Sequence, residues 1–251
     1  MGVDSTMSKK IDKKELMKKY RYFKPSDVNA SFLRKIFRHL GGQLALKLEH
    51  TKITPNQLTI LSFIFVLISI ILFYLKEHLF LVAGAVSLFI SMVLDKADGS
   101  LARLKNQGSK LGVWLDSTTD NLEINLLIAI IALVVYQKTG EWITWVLALS
   151  TIASYQASKL LYLYFKKYFS FANQVIDEEK RKHSFRSIFY YNEYFFFNLV
   201  IIAALLNIFH VFLIFCAIYG WVFYFGMYFI LTKKAAKLNR KMGEEEELTS
   251  K

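Results

Sequence analysis

Residues 94–103 read Leu-Asp-Lys-Ala-Asp-Gly-Ser-Leu-Ala-Arg, and residues 112–120 read Gly-Val-Trp-Leu-Asp-Ser-Thr-Thr-Asp. Four carboxylates therefore interrupt two otherwise apolar segments. Asp95 and Asp98 are three residues apart, and Asp116 and Asp120 are four apart, so each pair shares one face of a helix. An ionisable group at membrane depth costs at least about 2.5–3.5 kcal/mol and normally marks a functional site. The stretch predicts two acidic helix faces that meet.

The remainder of the chain has the composition of a membrane protein. Of its 251 residues 54% are hydrophobic and the mean hydropathy is +0.31, above the roughly 45–50% apolar content of soluble domains. Apolar runs of a length that crosses a bilayer lie at 55–75, 79–103, 109–137, 141–166, 190–207 and 209–232. We therefore expect an all-α integral membrane protein with six transmembrane helices, and we place its membrane domain at residues 51–232.

Polar segments are expected on both sides of this domain. Residues 1–26 form a basic polar segment, in which residues 1–6 look like an added leader before a natural start at Met7. Residues 27–50 place apolar and basic positions at helical spacing, which predicts an amphipathic helix on the cytoplasmic membrane surface. Residues 233–251 form a charged tail.

Basic residues are concentrated on one side of the predicted spans. Thirteen lysines and arginines precede the first span and six follow the last, whereas the turns on the opposite side hold only Lys76 and Lys138. The positive-inside rule then places both termini and the acidic site in the cytoplasm, and a prokaryotic cell membrane is the expected location. This distribution accounts for the net charge of +12 without nucleic-acid binding. Cys216 is the single cysteine, so a disulfide within the chain is excluded.

The residue types around the carboxylates suit a metal-bound phosphate group. Converging carboxylates repel one another unless a divalent cation compensates, and oxygen ligands without nearby His or Cys favour Mg²⁺ or Mn²⁺. Gly99, Ala102 and Gly112 remove side-chain bulk, which admits either a ligand or a closely packed helix. Arg103 supplies the bidentate fork that binds phosphates. Together these residues favour a nucleotide diphosphate as the ligand.

The pattern Asp-x2-Asp-Gly-x2-Ala-Arg-x8-Gly-x3-Asp-x3-Asp resembles the signature of the CDP-alcohol phosphotransferase family. Its fixed positions are Asp95, Asp98, Gly99, Ala102, Arg103, Gly112, Asp116 and Asp120. The six expected spans, the amphipathic segment before them and the Thr54-Pro55-Asn56 entry to the first span are also similar to the family.

The resemblance implies a role for each of these residues. Asp95, Asp98 and Asp116 would hold one or two Mg²⁺ or Mn²⁺ ions, and Asp120 would be the general base and a further metal ligand. The residues implied to line the CDP pocket are Gly99, Ala102, Arg103 and Gly112. A homodimer is implied as well.

The implied reaction belongs to phospholipid biosynthesis and is of the EC 2.7.8 type. A phosphatidyl-type group passes from CDP-diacylglycerol or CDP-archaeol to inositol phosphate, glycerol phosphate or serine, with release of CMP. One alternative is transfer of a choline or ethanolamine head group from its CDP derivative to a lipid alcohol. A divalent-cation transporter is an alternative of another class, against which Arg103 argues because a fixed cation repels the cargo.

Basic residues near the fourth and fifth spans are candidates for binding the acceptor. Lys159 lies within the fourth span and Arg186 precedes the fifth, so either could contact an acceptor phosphate. A lysine whose ammonium reaches back to the interface is the other interpretation of Lys159. At the start of the fifth span the chain reads Tyr191-Asn192-Glu193, where some relatives that form inositol-type lipids carry Arg-Asp.

Overall fold

The computed structural model describes residues 32–169 and 193–249, and these ranges are helical apart from short turns. The helices are α1 (Phe32–Leu48), α2 (Pro55–Tyr74), α3 (His78–Leu104), α4 (Lys110–Thr139), α5 (Ile143–Tyr168), α6 (Glu193–Leu205) and α7 (Phe209–Thr249). The all-α prediction is confirmed, and each helix from α2 onward begins at or within three residues of its predicted start. Helix α7 continues through most of the predicted charged tail.

Local signals in the sequence fix the helix ends on either side of the acidic stretch. Thr54 caps α2 in a capping box with Gln57, and Pro55 occupies the first turn, where its missing N–H costs nothing. The hydroxyl of Ser109 accepts from the Gly112 N–H at 2.9 Å and caps the start of α4. At its other end α4 stops at Gly140, which has the left-handed φ of 70° that glycine adopts without strain.

Four helices have the length and composition of membrane spans, namely α2, α3, α4 and α7 through Arg240. Helix α5 has 26 residues, but it buries hydroxyl side chains such as Thr151, Ser154 and Ser158 and is therefore less apolar. Helix α6 is apolar and shorter, with 13 residues. Within the described residues, four helices are thus long and apolar enough to cross a membrane, while the six-span count and the membrane-surface position of α1 stay predictions.

Close contacts along α3 hold its neighbours in register. A Cβ on Gly84 would lie 2.6 Å from the ring of Phe73, so the Phe73 side chain of α2 packs directly against the backbone of α3 there. A Cβ on Gly41 of α1 would lie 2.8 Å from the backbone of Lys96 and Ala97. Helix α1 is therefore packed directly against the part of α3 that carries Asp95 and Asp98.

An apolar core joins α3 and α4 to the helices that follow them. Its fully buried members include Leu88, Ile128, Phe196 and Leu213, and the rings of Phe196 and Phe212 meet edge to face at 5.4 Å. Burial of this surface gives α3 and α4 a fixed rotation about their axes. That rotation turns the acidic face of each helix toward the other.

Candidate metal and nucleotide site

Three of the four predicted aspartates converge. Asp95 and Asp98 from α3 and Asp116 from α4 each offer one carboxylate oxygen, and these oxygens all lie within 4.8 Å of one another. Asp98 is only 5% exposed, and the other two are half-buried. The helix spacing of the sequence and the packing of α3 and α4 against α2 together produce this carboxylate cluster.

A hydroxyl from a third helix holds the most buried carboxylate. Thr59 of α2 donates through Oγ1 to Asp98 Oδ2 at 2.5 Å, and the Gly99 N–H donates to Asp98 Oδ1. Hydrogen bonds to an ionised carboxylate are among the stronger ones in proteins. Thr59 therefore fixes the orientation of Asp98, and no spacing rule within the acidic stretch could have identified it.

A lysine inside the acidic stretch balances part of its charge. Lys96 Nζ forms an ion pair with Asp95 and lies 4.3 Å from the centre of the Tyr194 ring of α6. The carboxylate and the electron-rich face of the ring both stabilise the positively charged form of the lysine side chain. Sequence reasoning passed over Lys96 because its position between the two aspartates is not a fixed one in the pattern.

Asp120 lies one helical turn beyond Asp116 on α4 and is half-buried. It is not one of the three residues whose oxygens converge within 4.8 Å. The structure therefore separates the predicted base from the metal cluster by one turn, and its role stays a prediction.

One turn further on the same face lies Glu123, a carboxylate that is 4% exposed and that sequence reasoning overlooked. Its spacing of seven residues from Asp116 was the available signal.

The predicted nucleotide-binding residues differ in how much room they leave. Among the described residues, a Cβ on Gly99 would meet only the side chain of Arg103, at 3.5 Å, so none of the other described helices fills the space beside Gly99. A Cβ on Gly112 would lie 3.2 Å from Ser109 Oγ and 3.3 Å from Asn56 Oδ1. Ala102 is half-buried. Gly99 thus opens space for a ligand, whereas Gly112 also permits close packing at the start of α4.

Two guanidinium groups lie near this open space. Arg103 Nη2 donates to Ser100 Oγ at 3.4 Å, and its charge interacts with that of Asp98. On α1, burial and then the like charge of Arg103 lower the pKa of Arg38 to about 10, which leaves it charged at neutral pH. Arg38 was not identified from the sequence. The pair forms a positive edge beside the carboxylate cluster and suits an anionic ligand.

One of the two proposed acceptor residues is placed next to the site. Lys159 of α5 is half-buried and donates through Nζ to Asn121 Oδ1 at 3.3 Å, and Asn121 directly follows Asp120 on α4. Lys159 therefore points at α4 and not along the membrane surface. Arg186 lies outside the described residues.

An apolar cavity of about 250 Å³ opens between α2 and α4. Its lining consists of Thr59, Ile60, Phe63, Leu115, Thr118, Thr119 and Leu122. Two of these residues touch the acidic site, since Thr59 binds Asp98 and Leu115 precedes Asp116. The carboxylate cluster and the apolar cavity are therefore adjacent, with Thr59 in contact with both.

The donor set fits a small divalent ion. Three carboxylate oxygens within 4.8 Å, one of them on a buried side chain, repel one another strongly without a cation between them. Hard oxygen donors of this kind select Mg²⁺ or Mn²⁺. With the guanidinium of Arg103 and the open face of Gly99 alongside, the cluster has the parts of a site for a metal-chelated phosphate.

The fold and this site define a helical protein with apolar helices of membrane-spanning length and a carboxylate cluster that could hold a divalent metal. Residues 52–230 match the CDP-alcohol phosphatidyltransferase family, and the chain belongs to that family. It is accordingly an integral membrane protein, and the resemblance identified from the acidic stretch is confirmed.

Several curated relatives share part of the chain. An archaetidylinositol phosphate synthase of Pyrococcus horikoshii is 40% identical over 107 residues, which cover 42% of this chain and 52% of that protein. A bifunctional IPC transferase and DIPP synthase of Aquifex aeolicus is 29% identical over 130 residues, 49% of this chain and 29% of that protein. Its namesake from Archaeoglobus fulgidus is 33% identical over 126 residues, 50% of this chain and 24% of that protein. The alignments thus span about half of the first relative and less of the other two.

Proposed function

We propose that the chain transfers a phosphatidyl-type group from a CDP-linked lipid to a small polar alcohol and releases CMP. The observation that carries the proposal is the cluster of Asp95, Asp98 and Asp116 beside Arg103, inside the segment that matches the family. Likeness to an archaetidylinositol phosphate synthase favours CDP-archaeol as donor and inositol phosphate as acceptor. Glycerol phosphate and serine are the other acceptors to be tested.

The cluster would hold one or two Mg²⁺ or Mn²⁺ ions against the donor's diphosphate. When bound, such ions neutralise charge on the bridging and leaving oxygens of a phosphoryl transfer. Thr59 keeps the Asp98 carboxylate directed at the other two, so less reorganisation is needed on binding. Arg103, with the bare face of Gly99 beside it, would contact the diphosphate, and Ala102 and Gly112 would complete the wall of the CDP pocket.

Asp120 would act as the general base. It would take the proton of the acceptor hydroxyl as that oxygen forms a bond to the lipid-linked phosphorus. The bond from this phosphorus to the oxygen bridging to CMP breaks, and CMP leaves with the electron pair. Asp120 lies one helical turn beyond Asp116 on α4, and it would also serve as a further metal ligand.

Lys159 would bind the acceptor's phosphate. Its ammonium lies beside Asn121 and so on the flank of Asp120, where a phosphorylated acceptor would present its second charge. Arg186 would assist from the segment between α5 and α6.

The apolar cavity between α2 and α4 would take the hydrocarbon chains of the donor lipid. Its lining is mainly apolar, and Thr59, which forms part of this lining, donates a hydrogen bond to Asp98. A lipid held there would bring its head group to the carboxylate cluster.

We also propose a six-span arrangement with both termini and the acidic site in the cytoplasm of a prokaryotic cell, and a homodimer. Support for the topology comes from the clustering of lysine and arginine outside the spans and from the 26-residue length of α5. The position of α1 against α3, with its basic residues, agrees with a helix at the cytoplasmic surface.

The proposal is tested with the purified chain, radiolabelled CDP-archaeol and CDP-diacylglycerol, and a panel of the three acceptors with Mg²⁺ or Mn²⁺. We expect CMP release and one phosphorylated lipid product, with inositol phosphate as the preferred acceptor. An Asp120→Asn variant should lose the activity, whereas Glu141→Gln, on an exposed residue of the turn after α4, should keep it. CMP-independent uptake of divalent cations into proteoliposomes would instead support a transporter.

A further inference from the structure

A row of amide side chains lies between α4 and α5, beside the proposed base. Lys159 Nζ of α5 donates to Asn121 Oδ1 at 3.3 Å, and one turn further along α4 the Gln156 Nε2 of α5 donates to Asn125 Oδ1 at 3.2 Å. Asn121 directly follows Asp120. The row therefore starts at the residues proposed to activate the acceptor and to bind its phosphate, and the proposed reaction leaves the amides themselves unused.

These amides have hydrogen-bonding capacity that the helices do not use. An amide side chain offers two N–H donors and one carbonyl acceptor, yet each pair in the row shares a single hydrogen bond. Among the described residues, the amide nitrogens of Asn121 and Asn125 and the amide oxygen of Gln156 have no hydrogen-bond partner. Polar groups held away from bulk water are costly unless they are hydrogen-bonded.

Helices α4 and α5 are not closely packed along this row. Helix α5 packs chiefly against α7, where Trp221 Nε1 donates to Ser150 Oγ at 2.9 Å, and it meets α4 more sparsely. The three amides are half-buried, so part of each side chain stays accessible. Unsatisfied polar groups beside a sparse helix contact indicate that a ligand completes their hydrogen bonds.

The spacing and chemistry of the row suit a ligand with several hydroxyl groups. Asn121 and Asn125 are one turn apart, about 6 Å along the helix, a length that hydroxyls on opposite sides of a six-membered ring can bridge. A hydroxyl both donates and accepts, so it can bond an amide nitrogen or an amide oxygen. After one hydroxyl has been presented to Asp120, glycerol phosphate keeps a single hydroxyl for the amides and serine keeps none.

We propose that Asn121, Asn125 and Gln156 bind the hydroxyl groups of the acceptor and make the site selective for a phosphorylated cyclic polyol. The inference rests on the proposed function, in which Lys159 binds the acceptor's phosphate and Asp120 takes the proton of the reacting hydroxyl. A site built to hydrogen-bond hydroxyl groups rejects substrates that lack them, because its own polar groups are then left unpaired. The row thus distinguishes inositol phosphate from glycerol phosphate, although both carry a phosphate.

The test measures two constants on the purified full-length chain with labelled CDP-archaeol. One is the KM for inositol phosphate, and the other is the inhibition constant of glycerol phosphate as a competitor of inositol phosphate. Asn125→Leu and Gln156→Met each remove one amide at similar volume. Each should raise the KM for inositol phosphate roughly tenfold at little-changed kcat, the cost of one lost hydrogen bond and its unpaired partner. The inhibition constant of glycerol phosphate should change little, since Lys159 is still present.

Two further variants calibrate this result. Gln137→Leu removes an exposed amide near the end of α4 and is the matched control, so it should leave both constants unchanged. Lys159→Met should raise both constants together, because it removes the phosphate contact that the two ligands share.

An unchanged KM for inositol phosphate in both amide variants would overturn the inference. So would a parallel rise of both constants, which would show that the amides only hold α5 against α4. If one variant does not fold, as judged by gel filtration and thermal melting, the other decides, and if neither folds the amides are structural and the inference is overturned.

Failure of the proposed function looks different. A wild type that releases CMP with glycerol phosphate or serine but not with inositol phosphate would overturn this inference and leave the proposed function standing. A wild type that releases no CMP with any of the three acceptors would overturn the proposed function itself.

Discussion

The two ends of α3 use the same small residue for different purposes. Near its start, a Cβ on Gly84 would lie 2.6 Å from the Phe73 ring, so the missing side chain is replaced by a neighbouring helix. Near its end, a Cβ on Gly99 would meet only Arg103, at 3.5 Å, so the missing side chain leaves open space. A glycine in a membrane helix therefore indicates packing or ligand binding according to what surrounds it, and sequence alone does not separate the two.

Hydroxyl groups of α2 likewise serve helix packing at one end of α3 and the carboxylate site at the other. Ser69 Oγ donates to the Gly84 carbonyl at 2.8 Å and ties α2 to α3 at the packing end. Thr59 Oγ1 donates to Asp98 Oδ2 at 2.5 Å and orients a carboxylate at the other end. One helix thus stabilises the fold at one end of α3 and the site at the opposite end.

The largest effect on activity is expected from removing a carboxylate charge at the C-terminal end of α3. Asp98→Asn keeps the size of the side chain but withdraws a metal ligand, and CMP release should fall roughly thousandfold, the equivalent of several kcal/mol of lost charge stabilisation. The melting temperature should not fall, because a buried charge has been removed. A variant that retained activity within a factor of ten would contradict the role assigned to Asp98.

A reciprocal pair of glycine substitutions should sharpen the comparison directly. Gly99→Ala should lower CMP release roughly ten- to hundredfold at unchanged stability, because its Cβ enters ligand space and touches nothing closer than 3.5 Å. Gly84→Ala should lower the free energy of unfolding by about 1–3 kcal/mol, because the Phe73 ring has to move. Thermal melting and initial rates of the folded fraction separate the two, and the same defect in both variants would break the comparison.

Two lysines at opposite ends of the bundle offer a further test. Lys159 donates to Asn121 Oδ1 at 3.3 Å near Asp120, and Lys138 donates to Asn207 Oδ1 at 2.9 Å at the far end of α4. Lys159→Met should raise the KM for a phosphorylated acceptor roughly tenfold or more, the cost of one charge-assisted hydrogen bond. Lys138→Met should leave that KM unchanged. Equal KM values for both variants would remove Lys159 from the acceptor site.

The smallest effects are expected from the two hydroxyls of α2. Thr59→Val should weaken Mn²⁺ binding roughly tenfold, as is usual for a residue that supports a metal ligand. Ser69→Ala should instead cost about 1 kcal/mol of stability and leave Mn²⁺ affinity as it was. Isothermal titration and denaturant unfolding measure the two quantities, and an unaffected affinity in Thr59→Val would show that Asp98 needs no such support.

Features set by local spacing could be predicted from the sequence. The pairing of Asp95 with Asp98 follows from helix periodicity, and the start of α2 follows from Thr54, Pro55 and Gln57. The convergence of the two acidic faces followed from the need to compensate their charge. The first two features depend on neighbours within one or two turns, which a single sequence displays, and the third depends on charge balance between two adjacent helices.

Features set by tertiary contact could not be predicted in this way. Thr59 lies 39 residues before Asp98, and nothing in its own surroundings distinguishes it from other hydroxyls of α2. Glu123 was within reach, since it continues the acidic face of Asp116, but it lies outside the pattern of fixed positions. Helix α5 buries hydroxyls such as Ser154 against its neighbours, so its hydropathy understates how well it packs inside the bundle.

The central claim is that Asp95, Asp98 and Asp116 bind a divalent ion that engages a nucleotide diphosphate. Anomalous diffraction from crystals grown with Mn²⁺ and a CDP-linked lipid tests it most directly. We predict a manganese peak among these three carboxylates, at oxygen distances of roughly 2.0–2.2 Å, in contact with the diphosphate. Nucleotide bound elsewhere, or manganese absent from the three carboxylates in crystals that contain both ligands, would contradict the claim.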